Sequence, residues 1–312
     1  MKILVTGAAG FIGSHLTEAL ASQGHDVVAL DALMEFPYPS QQKINNWNLL
    51  GFLGENVVRI EADLRLPLDH IGIQDCDFIF HLAAIPGLNL SWEDTKLYIE
   101  CNILGTSNLL RACHSDSIKN FIYVSTSSVY GKNVFGDETS ELMPVSPYGV
   151  TKLAAENLIS AYCKALNIPF SIIRLFSVYG PRQRSDMAFN IFIRKMLHNE
   201  TIQIFGDGSQ SRANTYVGDV VDGLIAGMSK TVSGQSYNLC GSEQYNVLQV
   251  LNILEDIIGV KSKVEFLGER LGDQQETRSF ASKAAREFGF SPKVSLRQGL
   301  LRQVEWQREY QN

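Results

Sequence analysis

Tyr148 and Lys152 stand four residues apart, just after Ser146-Pro147, a pair that is typical of a helix start. Residues at this spacing share one face of a helix, so the phenol and the ammonium would be neighbours. A positive charge favours the phenolate, and a tyrosine activated in this way is a general base for a sugar or alcohol hydroxyl. The chain has eleven tyrosines, so the spacing also fits an ordinary surface helix and needs support from other elements.

The first half of the chain alternates short apolar runs with amphipathic helical stretches, which is typical of parallel βαβ units. Their continuous apolar character predicts strands that are buried on both faces. The predicted strands are 3–6, 27–30, 57–61, 78–82, 121–125 and 171–176, and the predicted helices between them are 12–22, 97–113 and 148–166. The alternation predicts an α/β fold with a doubly wound parallel (Rossmann) sheet.

After residue 176 the chain becomes more polar, and shorter elements are predicted. Helices are expected at 188–198, 248–258 and 296–309, and strands at 202–205, 236–240 and 264–267. The apolar strand 236–240 suggests that the chain returns to the first sheet. We therefore predict a Rossmann domain at 1–176 with a return segment at about 214–241. Segments 177–213 and 242–312 would form a smaller α/β substrate-binding lobe.

Composition narrows the function classes. A net charge of −6 over 312 residues argues against nucleic acid or an anionic membrane as the main partner. Apolar runs are too short for a membrane span, and no metal site is expected. The five cysteines form no CxxC pattern and lie mostly in apolar segments, which indicates buried thiols and a cytoplasmic protein.

Gly7, Gly10 and Gly13 follow the first predicted strand and open the first predicted helix. Glycines here permit a tight turn, close approach of the backbone to a pyrophosphate and close packing of helix on strand. Asp31 ends the second strand, where a carboxylate accepts hydrogen bonds from the adenosine ribose. No Arg or Lys lies between Asp31 and Ser40 to receive a 2′-phosphate, so NAD is favoured over NADP.

Neighbouring positions are also expected to contact NAD. Asp63 closes the third strand, where it could cap the adenine, and the alanines after the fourth strand let the backbone lie along the cofactor. His81 is interpreted as a hydrogen-bonded packing residue. The additional cofactor candidates are Phe11, Ile12, Asp63, Leu64, Leu82, Ala83 and Ala84.

Thr126, Ser127 and Ser128 follow the strand predicted at 121–125. In an open α/β sheet the carboxyl ends of the strands face the ligand crevice. We therefore expect these hydroxyls to lie where Tyr148 also points.

A family resemblance rests on these motifs taken in order: TGAAGFIG, Asp31, HLAA, STSSVYG and SPYGVTK. As a set they resemble the extended short-chain dehydrogenase/reductase family of nucleotide-sugar epimerases and dehydratases, over nearly the whole chain. The resemblance implies that Thr126, Tyr148 and Lys152 are the catalytic set and that Asn102 is the family's supporting asparagine at the cofactor. It also implies a homodimer, formed through the helices predicted at 97–113 and 148–166.

The resemblance also implies roles for the catalytic set. Tyr148, as phenolate, would remove a proton from the sugar O4 while C4 gives hydride to NAD. Lys152 would hold the nicotinamide ribose and keep the pKa of the tyrosine low. Thr126 would hydrogen-bond O4 as it becomes a carbonyl.

Substrate residues follow from the same resemblance. Arg212 and Arg270 are expected to hold the diphosphate of a UDP-sugar, with Asp273 on its ribose. Residues 178–189 resemble the matching loop of UDP-glucuronate 4-epimerases. On that match Arg184 would bind the C5 carboxylate together with Ser127, Ser128 and Ser177, and a guanidinium fork suits a carboxylate.

The residues after Thr126 favour epimerisation. Dehydratases of the family typically carry Asp-Glu there, and enzymes that decarboxylate UDP-glucuronate carry Ser-Glu, because both reactions need an acid or base near C5. Here both positions are serine. Oxidation at C4, rotation of the 4-keto sugar and reduction from the other face are therefore predicted, with UDP-glucuronate and UDP-galacturonate as the preferred pair.

Three alternatives stay open at this point. A 4,6- or 5,6-dehydratase acting on a sugar such as UDP-N-acetylglucosamine is one. A 4-epimerase of a neutral UDP-hexose is another, because Leu88-Asn89-Leu90 stands where a cationic residue would be expected and 211–216 departs from the usual family pattern. The third is a non-catalytic NAD-binding protein, for which the Thr126, Tyr148 and Lys152 set would have to be incidental.

Overall fold

The structure is a computed structural model that describes residues 1–68, 72–73, 75–113, 117–268 and 276–310. Its central element is a sheet of seven parallel strands in the order β11-β7-β5-β4-β1-β2-β3. These strands are β1 (Lys2–Thr6), β2 (Asp26–Asp31), β3 (Val57–Glu61), β4 (Phe78–His81), β5 (Asn120–Thr126), β7 (Phe170–Leu175) and β11 (Gln235–Leu239). The order reverses between β1 and β4, which opens a crevice at the carboxyl ends of the strands. The predicted doubly wound parallel sheet is confirmed.

Helices cover both faces of this sheet. Ile3 and Val5 enter a core with α1 (Phe11–Ser22) and α8 (Val217–Met228), whereas Leu4 enters a second core with the helices on the opposite face. The helices on that face are α4 (Thr95–Ile99), a π-helical turn (Glu100–Leu104), α5 (Gly105–Ala112) and α6 (Pro147–Ala165), and α5 and α6 contribute side chains to the second core. The helix predicted at 97–113 is thus helical throughout but contains a π turn. The two further helices of this part are α2 (Ser40–Leu50) and α3 (Leu90–Glu93).

One prediction about the sheet is wrong. β3 was expected to be buried on both faces, but it is the edge strand, and Val58 is 56% exposed. An edge strand has a neighbour on one side only, so its apolar side chains are covered less than those of β1 or β4. Valine and isoleucine in β3 therefore reflect strand preference more than burial.

The carboxyl-terminal part packs around its own core of aliphatic and aromatic side chains. Its helices are α7 (Ala188–Leu197), α9 (Val247–Ile258), α10 (Ser282–Phe288) and α11 (Leu296–Tyr310). Its strands are β8 (Ser177–Tyr179), β9 (Thr201–Phe205), β10 (Ser211–Tyr216), β12 (Gln244–Asn246), β13 (Lys263–Leu267) and β14 (Glu276–Ser279). β10 lies between β12 and β14, β14 pairs with β6 (Asn133–Gly136), and β9 pairs with β13.

The exact division into two lobes stays a prediction, although β11 adds to β7 in the large sheet and α8 packs on α1. Within the described residues, none of the helices has the length and apolar character that crossing a membrane requires.

Candidate active site

A cavity of about 420 Å³ lies along the carboxyl ends of the parallel strands and extends to β10. Its wall contains every predicted site residue that the structure describes, with the exception of Asn102. These are Gly7, Gly10, Phe11, Ile12, Gly13, Asp31, Asp63, Leu64, Leu82, Ala83, Ala84, Thr126, Ser127, Ser128, Tyr148, Lys152, Ser177, Arg184 and Arg212. Arg270 and Asp273 lie outside the described residues.

The glycine turn after β1 has a conformation that lets a ligand approach its backbone closely. Gly7 has a φ of +71°, and a Cβ there would lie 2.8 Å from the Ala83 nitrogen. A Cβ on Gly13 would lie 2.0 Å from the Gly7 carbonyl oxygen, so only glycine lets α1 begin this close to β1. The start of α1 therefore presents its free N–H groups to the cavity, where a pyrophosphate fits.

Asp31 lies at the end of β2, on the wall of the same cavity. Its Oδ2 accepts from the Ala9 N–H at 3.0 Å and its Oδ1 from the Leu33 N–H at 2.9 Å. Burial raises the pKa of Asp31, and these backbone bonds together with the charge of Lys43 oppose the shift. Each oxygen retains a lone pair for a ribose hydroxyl. The residues present thus fit the adenosine half of a dinucleotide.

Asp63 differs from Asp31. Its carboxylate is bound by the guanidinium of Arg65 on both oxygens, at 2.5 to 3.0 Å. Asp63 also accepts from the Arg65 N–H at 2.9 Å. Both residues line the cavity, and most of the carboxylate's acceptor capacity is already used within the pair. The role of Asp63 at the adenine stays a prediction.

Tyr148 and Thr126 meet in the middle of the cavity. Ser146 caps α6 by accepting from the Gly149 N–H at 3.1 Å, and Pro147 occupies the first turn. Gly149 lies against the Ser128 carbonyl, from which an added Cβ would be 2.7 Å away. The start of α6 thereby presses on the turn after β5, which brings the Thr126 hydroxyl close enough to Tyr148 to lower its pKa.

Burial has the largest effect on the pKa of Tyr148, and the predicted effect of Lys152 on it stays a prediction. Burial raises the pKa of Tyr148, and the groups that oppose this are the Thr126 hydroxyl and the charge of Arg184. Lys152 donates from Nζ to the Val124 carbonyl at 2.8 Å and lies 4.1 Å from the centre of the Tyr123 ring. Burial lowers the pKa of Lys152 to about 7, so its own charge is only partial near neutral pH.

The three hydroxyls after β5 form a compact donor and acceptor group. Thr126 Oγ1 donates to Ser128 Oγ at 3.2 Å and accepts from the Ser128 N–H at 3.2 Å. Ser127 and Ser128 are nearly buried but still line the cavity. Hydroxyls packed in this way can bind a polar substrate group, but they are poor proton shuttles at neutral pH.

Arg184 brings a positive charge to the same region. Its Nε and Nη2 donate to the two carboxylate oxygens of Asp186, each at 2.9 Å. Its guanidinium lies 5.8 Å from the centre of the Tyr38 ring, and its charge acts on Tyr148. Arg212, on β10, reaches the cavity wall and donates from Nη1 to the Ser211 carbonyl at 3.0 Å.

Asn102 lies behind the cavity wall. Its Oδ1 accepts from the Ile85 N–H at 2.7 Å, and its Nδ2 donates to the Ile85 carbonyl and to Thr151 Oγ1, both at 3.1 Å. It therefore joins the segment after β4 to helix α6. His81 is confirmed as a hydrogen-bonded packing residue, placed between Thr6 and Thr106.

Sequence reasoning missed the segment after β2. Met34, Phe36, Tyr38 and Lys43 all line the cavity. Lys43 Nζ donates to the Met34 carbonyl and, at 3.2 Å, to the Phe36 carbonyl, and it lies 4.1 Å from the centre of the Tyr38 ring. The clustering of aromatic residues so soon after Asp31 was the available signal.

Together, the parallel sheet, the glycine turn with Asp31, and Tyr148 beside Thr126 and Lys152 define a Rossmann-type nucleotide-binding enzyme. The profile of the "NAD dependent epimerase/dehydratase family" matches residues 3–240. The chain belongs to that family.

Three relatives are similar over nearly the whole chain. The crystal structure of UDP-glucuronic acid 4-epimerase from Bacillus cereus, in complex with UDP-glucuronic acid and NAD, superposes with a TM-score of 0.95 at 41% identity over 99% of both chains. The UDP-glucuronate 4-epimerase of Thermodesulfobacterium geofontis is 33% identical over 98% of this chain and 96% of its own. A Bacillus subtilis protein named "uncharacterized UDP-glucose epimerase YtcB" is 43% identical over 98% of both chains.

Proposed function

We propose that the protein is an NAD-dependent 4-epimerase that interconverts UDP-glucuronate and UDP-galacturonate. One observation favours epimerisation over the other reactions of the family. Among the described residues that line the cavity, the carboxylates are Asp31 and Asp63, both at the nucleotide end, while the turn beside Tyr148 offers Thr126 and two serines. An elimination or a catalysed decarboxylation needs an acid or base near C5, and the described residues that line the cavity place no carboxylate beside Tyr148.

The catalytic residues act at O4 of the sugar. Tyr148 removes the O4 proton and returns it after the sugar has turned over, and Thr126 donates a hydrogen bond to O4 when it is a carbonyl oxygen. Lys152, on the same helix as Tyr148 and also on the cavity wall, would hold the cofactor's ribose. The glycine turn and Asp31 would hold NAD, which would supply the hydride-transfer chemistry at C4.

A uronic acid oxidised at C4 is a β-keto acid, which loses CO₂ readily. The chain therefore has to hold the carboxylate as well as the reacting carbon. We assign this task to Arg184 with Ser127, Ser128 and Ser177, because a guanidinium and hydroxyls are donors suited to a carboxylate. Arg212 supports binding of the UDP diphosphate from β10, and the predicted roles of Arg270 and Asp273 belong to the same proposal.

The proposal also includes a homodimer in solution and a location in the cytoplasm. Exposed apolar side chains on adjacent helices support a homodimer: Ile99, Leu104 and Val150 are 46%, 45% and 51% exposed. The five cysteines are free thiols, four of them buried, which suits the reducing cytoplasm.

The test is a panel of UDP-sugars incubated with the NAD-loaded protein, with products resolved by chromatography and mass. UDP-galacturonate of unchanged mass is expected from UDP-glucuronate. Product that has lost water would indicate a dehydratase, and absence of the 4-epimer would refute the substrate assignment. Tyr148→Phe should abolish turnover, and Tyr162→Phe, on the same helix, should retain it.

A second candidate is a 4-epimerase of a neutral UDP-hexose. It is favoured by the pairing of Arg184 with Asp186, which already satisfies two of the guanidinium donors. The same panel distinguishes it, because UDP-glucose would then give UDP-galactose faster than UDP-glucuronate gives its epimer.

A further inference from the structure

The loop that carries Arg184 is held by one side chain of helix α2. Gln42 Nε2 donates to the carbonyl oxygens of Arg182 and Gln183 at 3.0 and 2.9 Å. Gln42 Oε1 accepts from the Ser185 N–H at 3.2 Å. The amide thus uses its donor and acceptor ends on backbone groups that flank Arg184 on both sides.

Gln42 is well suited to fix this loop. Gln42 bonds to main-chain atoms, so its contacts fix the conformation of the loop backbone rather than the rotamer of one side chain. The same loop is held from α1, where His15 Nε2 is 2.9 Å from the Pro181 carbonyl and Arg182 pairs with Glu18 at 2.7 Å. Those α1 contacts hold the start of the loop. Asn190 Nδ2 on α7 also donates to the Gln183 carbonyl, at 2.7 Å, whereas Gln42 bonds the residues on both sides of Arg184.

Helix α2 also contacts the cofactor end of the cavity. Asn46, four residues after Gln42, donates to the Ala9 carbonyl at 2.9 Å, and the Ala9 N–H donates to Asp31. Lys43 donates to two carbonyls of the segment after β2. One helix therefore bonds to the glycine turn, to the segment after Asp31 and to the Arg184 loop.

We propose that Gln42 is a positioning residue for substrate specificity, which holds Arg184 where its guanidinium meets the C5 carboxylate of the UDP-uronate. The proposal rests on the proposed function. Through α2, the Arg184 loop is held at a fixed distance from the cofactor turn, so the carboxylate and C4 are placed together.

Loss of Gln42 has two expected consequences. A guanidinium displaced by about 1 Å binds the carboxylate less well, since bidentate bonds depend on alignment. The 4-keto sugar then loses CO₂ more often: the C5–C6 bond breaks, its electron pair forms the C4–C5 enolate, and C5 is protonated to give a UDP-4-keto-pentose. The hydride taken from C4 stays on the cofactor as NADH.

The test compares Gln42→Ala with Gln41→Ala in the NAD-loaded protein. Gln41 is the exposed neighbour on α2 and bonds to Asn45, not to the loop. Titration calorimetry should show about tenfold weaker binding of UDP-glucuronate to Gln42→Ala, with UDP binding unchanged. KM should rise more than kcat falls, and mass spectrometry should detect more UDP-4-keto-pentose. Gln41→Ala should match the parent protein.

Gln42→Met keeps the side-chain length without the hydrogen bonds, and it replaces the alanine variant if that one fails to fold. Unchanged affinity and unchanged product ratio in a folded Gln42 variant would overturn the inference. If the parent protein itself fails to bind UDP-glucuronate more tightly than UDP, or fails to epimerise it, the proposed function is wrong instead.

Discussion

Arg184 and Asp186 are bound to each other by two parallel hydrogen bonds of 2.9 Å, in the geometry that a guanidinium forms with any carboxylate. Asp186 therefore occupies the same donors that a substrate carboxylate would use. A uronate has to compete with Asp186 or bind the remaining donors of Arg184.

Asp186→Asn should strengthen the binding of UDP-glucuronate about threefold, because it removes a competing charge of a partly exposed pair. Binding of UDP should stay the same. Asp207→Asn, an exposed acid bonded to Ser209, is the control for net charge. Weaker binding of UDP-glucuronate to Asp186→Asn would show that Asp186 orients Arg184 rather than competing for it.

Thr126 should set the pH at which Tyr148 becomes active. Burial raises the pKa of Tyr148 and the Thr126 hydroxyl lowers it, so the phenolate fraction and the rate should rise with pH above neutrality. Thr126→Val removes the hydroxyl that lowers the pKa of Tyr148. The rising limb of the pH–rate profile should therefore move to higher pH. Thr126→Ser keeps the hydroxyl and should keep the limb in place; equal profiles for all three proteins would contradict the assignment.

The buried pair of Glu156 and Arg174 should matter for stability. Arg174 donates from Nε and Nη2 to Glu156 at 3.1 and 2.7 Å, and Ser125 donates to the same carboxylate at 2.5 Å. Arg174→Met leaves a buried, unpaired carboxylate and should cost about 3–5 kcal/mol of unfolding free energy in urea titrations. The double variant Glu156→Leu with Arg174→Met should recover much of this loss, and a further additive loss would refute the explanation.

Two histidines should make the fold sensitive to acid. Burial lowers the pKa of His81 to about 3 and that of His15 to about 4, below the ordinary value of 6.5. Between pH 6.5 and about 4 the unfolded chain binds protons that the folded chain excludes, so stability falls as pH falls. For a fully buried group such as His81 the slope is about 1.4 kcal/mol per pH unit.

This slope is measurable by chemical denaturation at several pH values. His15→Gln should flatten it relative to the parent protein, because one titrating group is lost. His198→Gln, exposed at the end of α7, is the matched control. A parent protein whose stability is constant from pH 6.5 to 4.5 would exclude this account.

Val150→Glu should disrupt the proposed dimer. Val150 is 51% exposed on α6, and a charge there cannot be buried against a second copy without a partner. Sedimentation should then report a monomer, and circular dichroism should show the helix content of the parent protein. Val232→Glu, exposed in a turn after α8, should leave the mass as in the parent protein. A parent protein that sediments as a monomer would refute the dimer directly.

Local sequence signals predicted much of the fold. The apolar runs gave the strands of the large sheet, because buried parallel strands are apolar on both faces, and Ser146-Pro147 marked the start of α6. The same rule failed at β3, because position at the sheet edge is decided by the whole topology. The role of the glycine turn and of Asp31 could be predicted from the sequence, because it depends on residues that are close together in the chain.

The remaining parts of the site depend on contacts between distant residues. Gln42 meets the Arg184 loop across about 140 residues of chain, and nothing in the local sequence of α2 marks that contact. Arg174 donates to Glu156, which lies eight residues after Tyr148 on α6. The sequence around an arginine in an apolar strand does not indicate which residue accepts its hydrogen bonds. The effect of burial on the pKa of Tyr148 could not be predicted from the sequence, because burial is a property of the folded chain.

β11 has a consequence for the chain as it leaves the ribosome. β7 pairs on one side with β5 and on the other with β11, which is more than fifty residues further along. Until residue 239 has emerged, the backbone groups of an apolar strand remain open along that side. Such a strand is a template for wrong pairing between nascent chains. Truncations that end between β7 and β11 should therefore aggregate, because β11 is the strand that covers this side of β7.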